Sequence, residues 1–94
     1  MNLGNAIKNQ RKIIGMSQGE LAKQIQKTQS YLSLIEKNKK EPNLSVLKEI
    51  SEVLEIPLPI LFFKSIEDTD IKEDKKFIFN SLDAIINSVF LDEK

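Results

Sequence analysis

Ninety-four residues suffice for one domain and not for two, and 40% hydrophobic with 30% charged residues is the mixture of an ordinary globular unit. Fourteen basic and fourteen acidic side chains sum to zero, which over the whole chain argues against a charged partner. The chain has no Cys and no His, which excludes disulfide frameworks, thiol chemistry, nucleophile–histidine pairs and most zinc sites.

Apolar residues recur with the helical period, and strict alternation is nowhere sustained. Over residues 2–14, Leu3, Ala6, Ile7, Ile13 and Ile14 make one helix face. Gly15 is placed to end that helix in the left-handed conformation, with Met16 supplying the apolar contact that accompanies such an end. Ser17-Gln18-Gly19-Glu20 is a capping box: Ser17 accepts from the N–H three residues on, and Glu20 reaches back to the N–H of Ser17. Leu21, Ala22 and Ile25 then mark a helix of about two turns. Gln26 and Lys27 break it. Thr28 is the next N-cap, and Tyr31, Leu32 and Ile35 line the inner face of a third helix.

Lys37-Asn38-Lys39-Lys40-Glu41-Pro42 reads as a loop, with Asn38 as its left-handed residue. Asn43 caps a fourth helix whose apolar residues are Leu44, Leu47, Ile50, Val53 and Leu54. Ile56-Pro57-Leu58-Pro59 ends it, and a short fifth helix carries Ile60, Leu61 and Phe62. Residues 65–74 are acidic and poor in core residues, as in a linker or a frayed helix start. The acids Glu67, Asp68, Asp70, Glu73 and Asp74 lack the turn Gly and the closing Glu of a calcium loop, so no metal is expected there. From about residue 74 to 91, Ile78, Leu82, Ile85 and Val89 fall in register with Phe79, Ile86 and Phe90 beside them. This predicts one amphipathic helix of roughly 25 Å.

The longest apolar run, residues 56–63, is too short to span a membrane. The chain starts without the basic-then-apolar pattern of a secretory signal, so a cytoplasmic protein is expected. Gly4, Gly15 and Gly19 are too scattered for a phosphate-binding loop, and neither an enzyme nor a cofactor is expected. The zero net charge conceals an asymmetry. Residues 1–40 hold eight bases and two acids, a net of +6, and residues 41–94 hold six bases and twelve acids, a net of −6. Halves of opposite sign point to a polyanion-binding part joined to something else.

The stretch from Ser17 to Glu36, two short helices across a tight break with positive charge on both sides, resembles the helix-turn-helix of the Xre/Cro family, which includes the lambdoid phage repressors. The resemblance runs from residue 3 to 63. It implies an all-α fold: a five-helix lambda-repressor-like DNA-binding domain over residues 1–64. An acidic linker at 65–74 would join it to an additional C-terminal amphipathic helix at 75–94. Ala22 is small where two helices cross, and Leu21, Ile25, Leu32 and Ile35 fix that crossing by burial.

In such a motif the second helix enters the major groove with its N-terminal residues on base edges. Gln29 is the first candidate for base contact, because a Gln amide matches adenine bidentately; Ser30 and Ser33 follow. Gln18, Thr28, Lys39 and Lys40 are the candidates for the DNA backbone, with Lys27, Lys37 and Lys12 as lesser ones. Tyr31 has two readings, reaching a phosphate or packing inward. In the repressors that the chain resembles, residues matching Arg11 and Glu36 form a partly buried ion pair between the first and third helices, which is a structural role. Gln26 and Asn38 depart from the pattern, standing where Gly is usual; for Gln26 a left-handed conformation costs ~1–2 kcal/mol.

These residues lead to the expectation of a sequence-specific transcriptional regulator, expected to be a repressor, that binds double-stranded DNA at a pseudo-palindromic operator as a homodimer. Ile78, Leu82, Ile85, Ile86, Val89 and Phe90 would form the dimer contact. The same stripe can instead fold back on the domain or bind another protein. The alternative function is therefore a protein-interaction module, such as an antitoxin, that acts through the acidic C-terminal part.

Overall fold

The computed structural model describes residues 1–91, and the side chains of residues 1–89. The side chain of Phe90, one of the expected dimer contacts, lies outside the described residues, as do residues 92–94 of the expected C-terminal helix. Five helices follow in order: α1 (Leu3–Ile13), α2 (Gln18–Gln24), α3 (Gln29–Glu36), α4 (Leu44–Val53) and α5 (Leu58–Lys64). Two 3-10 turns, Asp68–Asp70 and Glu73–Lys75, lead into α6 (Lys76–Ile86), which widens into a π turn over Asn87–Leu91. No strand occurs among the described residues.

Local chemistry sets where the first four helices start. Asn2, Ser17, Thr28 and Asn43 each accept from the N–H three residues on, and Ser17 with Glu20 completes the capping box. The same four helices end alike. A left-handed residue follows each: Gly15 (φ 74°), Gln26 (58°), Asn38 (60°) and Glu55 (58°). The next N–H then reaches back five residues, from Met16 to Arg11 O (3.0 Å), Lys27 to Ala22 O (2.9 Å), Lys39 to Leu34 O (2.8 Å) and Ile56 to Ser51 O (3.1 Å). Glu55 carries no sequence signal for this role.

Ile7, Leu21, Leu32, Ile35, Ile50, Leu54 and Leu61 are fully buried, so all of the first five helices contribute to one core. Two residues expected inside it lie outside. Ile13 is 52% exposed, because it follows Ile7 by six residues, about 240° around the helix. The inner face of α1 belongs instead to Gly4, Ala6, Ile7, Gln10 and Arg11. Leu44 is also exposed, as the residue directly after the Asn43 cap; Val46 and Leu47 turn inward in its place. Buried Gln10 donates from Nε2 to Leu54 O at 3.0 Å, which ties α1 to the end of α4.

The N-terminus of α1 lies against the C-terminus of α3. A Cβ on Gly4 would stand 2.5 Å from Ile35 O and 2.6 Å from Glu36 O. Asn38 accepts from the Gly4 N–H on Oδ1 (2.9 Å) and donates from Nδ2 to Asn2 Oδ1 (2.6 Å). This accounts for an Asn where Gly is usual: its side chain satisfies a first-turn N–H of another helix.

The body extends past residue 64. Ser65 is buried, its carbonyl accepts the Asn2 N–H at 2.7 Å, and Glu67 and Asp70 meet the Met1 ammonium. The start of the expected linker is thus laid on the domain. The stripe expected along the last helix is also divided. Phe79 stacks on Phe63 of α5 (ring centroids 4.9 Å apart), and Asp83 and Asn87, one and two turns on, receive Lys64 Nζ. Ile86 is half-buried. Phe77, Ile78, Leu82, Ile85 and Val89 are exposed, Phe77 by 80%.

Candidate nucleic-acid interface

The turn between α2 and α3 is compact because Gln26 takes the left-handed conformation and Thr28 caps the next helix directly. Burial of Leu21, Ala22, Ile25, Leu32 and Ile35 fixes the angle between the two helices. That leaves the first residues of α3, Gln29 and Ser30, exposed, while Ser33 one turn on is half-buried. Thr28 Oγ1 accepts the Tyr31 N–H at 3.0 Å, and its hydroxyl proton stays available to a further acceptor.

Lysines flank α3 at both ends. Lys27, Lys37, Lys39 and Lys40 are all exposed. Lys27 Nζ and Lys40 Nζ lie 5.3 and 5.7 Å from the Tyr31 ring centroid, so one half-buried ring gathers two cations from different segments. Tyr31 itself packs against the edge of the core.

Behind the exposed end of α3 stands a hydrogen-bonded chain that spans three helices. Arg11 of α1 grips Glu36 of α3 with both arms, Nε to Oε2 at 2.8 Å and Nη2 to Oε1 at 3.0 Å. Both side chains are almost fully buried. Arg11 Nη1 also donates to Met16 O at 2.9 Å, which anchors the approach to α2. The hydrogen bond to Glu36 raises the Arg11 pKa above its ordinary value, so the guanidinium stays charged in its buried place. Gln18, at the start of α2, donates from Nε2 to Glu36 Oε1 at 3.1 Å. Its Oε1 accepts from Gln29 Nε2 at 3.3 Å.

The structure thus brings Gln18, Gln29, Arg11 and Glu36 into one network, and it brings Lys27, Tyr31 and Lys40 into a second group. Lys37 and Lys39 stand exposed on the loop after α3. The internal partners of Gln18 and the grip of Asn38 on α1 are absent from the sequence reading. Each joins residues far apart in the chain, and no local spacing signals such a pair. Among the described residues, no cluster of His, Cys, Asp or Glu is arranged to hold a metal ion, and no helix is long and apolar enough to cross a membrane.

A family model described as helix-turn-helix matches residues 7–61, more than half of the chain. The structure is similar to that of the clp gene regulator ClgR from Corynebacterium glutamicum, with a TM-score of 0.69 at 19% sequence identity. That likeness covers 97% of this chain and 93% of the other, and at such identity it is a likeness of fold. No curated protein matches the sequence significantly.

Proposed function

The chain belongs to the Xre-type helix-turn-helix family, and on that premise we propose that it is a transcriptional repressor that binds double-stranded DNA at a pseudo-palindromic operator as a homodimer. The observation that carries this reading is the exposed start of α3, Gln29 and Ser30, with four exposed lysines around that helix and the loop after it. Gln29 and Ser30, with Ser33 one turn later, meet base edges in the major groove. Lys27, Lys37, Lys39 and Lys40 neutralise phosphates, with Thr28 and Gln18 donating to the same backbone and Tyr31 holding two of the lysines in place. Arg11 and Glu36 hold the helices in register and do not touch DNA.

A homodimer fits this role, since a two-fold operator calls for a two-fold protein. Ile78, Leu82, Ile85 and Val89 supply an apolar row for that contact, joined by Phe77. A regulator of this kind works in the cytoplasm and needs no cofactor. Selection of bound duplexes from a random pool at two salt concentrations tests the proposal. The expected result is a symmetric consensus and affinity that falls steeply with salt. No salt-sensitive binding to any selected duplex refutes it.

The same exposed row of α6 favours a second reading, a protein-interaction module such as an antitoxin. Recovery of one stoichiometric protein partner with no DNA binding is the result that would establish it.

A further inference from the structure

We propose that Glu36 is a positioning residue for sequence readout: acting through Gln18, it fixes which way round the Gln29 amide faces. The inference rests on the DNA-binding reading above and deepens it.

The argument is one of hydrogen-bond polarity. A carboxylate only accepts. Glu36 accepts from Arg11 at both oxygens, so its place is fixed and neither oxygen is turned away as a donor. The Gln18 atom that faces Glu36 Oε1 at 3.1 Å must therefore be the amide nitrogen. That choice turns the Gln18 oxygen toward Gln29. The Gln29 atom that faces it, at 3.3 Å, must in turn be a nitrogen. Two amides that could each be placed either way round are thus set in series by one buried charge.

The consequence lies in what Gln29 has left to offer. One of its two amide N–H groups is engaged by Gln18, which leaves one donor and the two lone pairs of Oε1. Adenine presents an acceptor, N7, beside a donor, N6–H, in the major groove, and this fits what remains. Guanine presents two acceptors, N7 and O6, side by side. A free Gln could meet both with its two N–H groups. Gln29 in this network has only one to give, and its oxygen would oppose O6. Glu36 therefore biases the position read by Gln29 toward adenine without approaching the DNA. Its link to Gln18 is the stronger of the two steps, being part-buried and made to a charged acceptor.

The test uses the full chain and a duplex selected from a random pool. Gln29→Ala first identifies the base pair at which preference relaxes. The readout is the ratio of affinities for adenine and guanine at that pair. Glu36→Gln keeps the shape but can donate as well as accept, and Gln18→Ala removes the link outright. Both are expected to lower the ratio by about fivefold or more. Arg11→Lys loosens the same buried pair but keeps the carboxylate that faces Gln18; it should lower the thermal midpoint while the ratio falls less than in Glu36→Gln, whereas a merely structural role for Glu36 predicts that the ratio follows the loss of stability in both. Circular dichroism shows which variants fold, and Gln18→Ala, which leaves the buried pair in place, carries the test if Glu36→Gln does not. Equal weakening on both duplexes, with the ratio unchanged, overturns the proposal. So does a Gln29→Ala variant that relaxes no base pair. Failure of the wild-type chain to bind any duplex is a separate result, which overturns the DNA-binding reading itself and this inference with it.

Discussion

At Gly4 there is no room for a side chain, and the neighbours that exclude one are backbone carbonyls, which cannot rotate away. Gly4→Ala must push α1 off the end of α3. The expected cost is about 1–3 kcal/mol, read from urea denaturation. Because Glu36 O is one of the two obstructing atoms, the same shift should loosen the grip of Arg11 on Glu36. Glu20 makes a different kind of prediction. Its carboxylate accepts the Ser17 N–H at 2.8 Å, and that hydrogen bond, helped by the Ser17 hydroxyl, holds its pKa below the ordinary value. A depressed carboxylate stabilises the fold above its unfolded pKa and loses that contribution as the pH falls through the native one. Glu20→Ala should therefore lower the thermal midpoint at neutral pH. The gap to the wild type should close below the ordinary carboxylate range, and a gap that stays constant with pH would refute the assignment.

Among the elements, α1 to α4 share one way of stopping, yet only one of the four left-handed positions is Gly. Asn38 is compensated by its hold on Gly4 and Asn2, whereas Gln26 and Glu55 carry the left-handed cost of ~1–2 kcal/mol. Gln26→Gly and Glu55→Gly should each stabilise the domain by about 0.5–1 kcal/mol once the greater unfolded freedom of Gly is set against that strain. Denaturation midpoints check this, and a loss of stability at Glu55 would refute it. The contrast also explains what was legible. Helix starts were plain because Ser17, Thr28 and Asn43 act on N–H groups three residues away, within reach of any local pattern. The ends at Gly15 and Asn38 were legible from residue type, but Glu55 was not, since Glu has no preference for that conformation. Apolar periodicity alone puts Ile13 inside, but the inner face of α1 there belongs to Gln10 and Arg11, whose polar partners lie on other segments of the chain. In the candidate site the exposed Gln29 and the lysines followed from the motif. The link from Gln18 to Glu36 joins two helices and follows only from their packing.

For the molecule as a whole, a net charge of zero is the sum of two opposite halves, +6 over residues 1–40 and −6 over the rest. If Lys39 and Lys40 each neutralise one phosphate, the double change Lys39→Ala with Lys40→Ala should flatten the log–log salt dependence by about 1.8 and weaken binding to all sequences alike. Titration at several salt concentrations gives the slope directly, and an unchanged slope would remove these lysines from the interface. The five-helix body and α6 divide the chain differently from the charge, and they differ in how they are held. The body shares one core among five helices, whereas α6 is tied to it by the stack of Phe79 on Phe63 and by Lys64. Such an attachment lets α6 open by itself, at a lower free energy than global unfolding. In hydrogen exchange its amides should lose their protons well before those of Ile50 and Leu54. Association through the exposed row would close that opening, so α6 alone should exchange more slowly as the protein is concentrated. The last helix would then report, amide by amide, on whether a second molecule has docked against it.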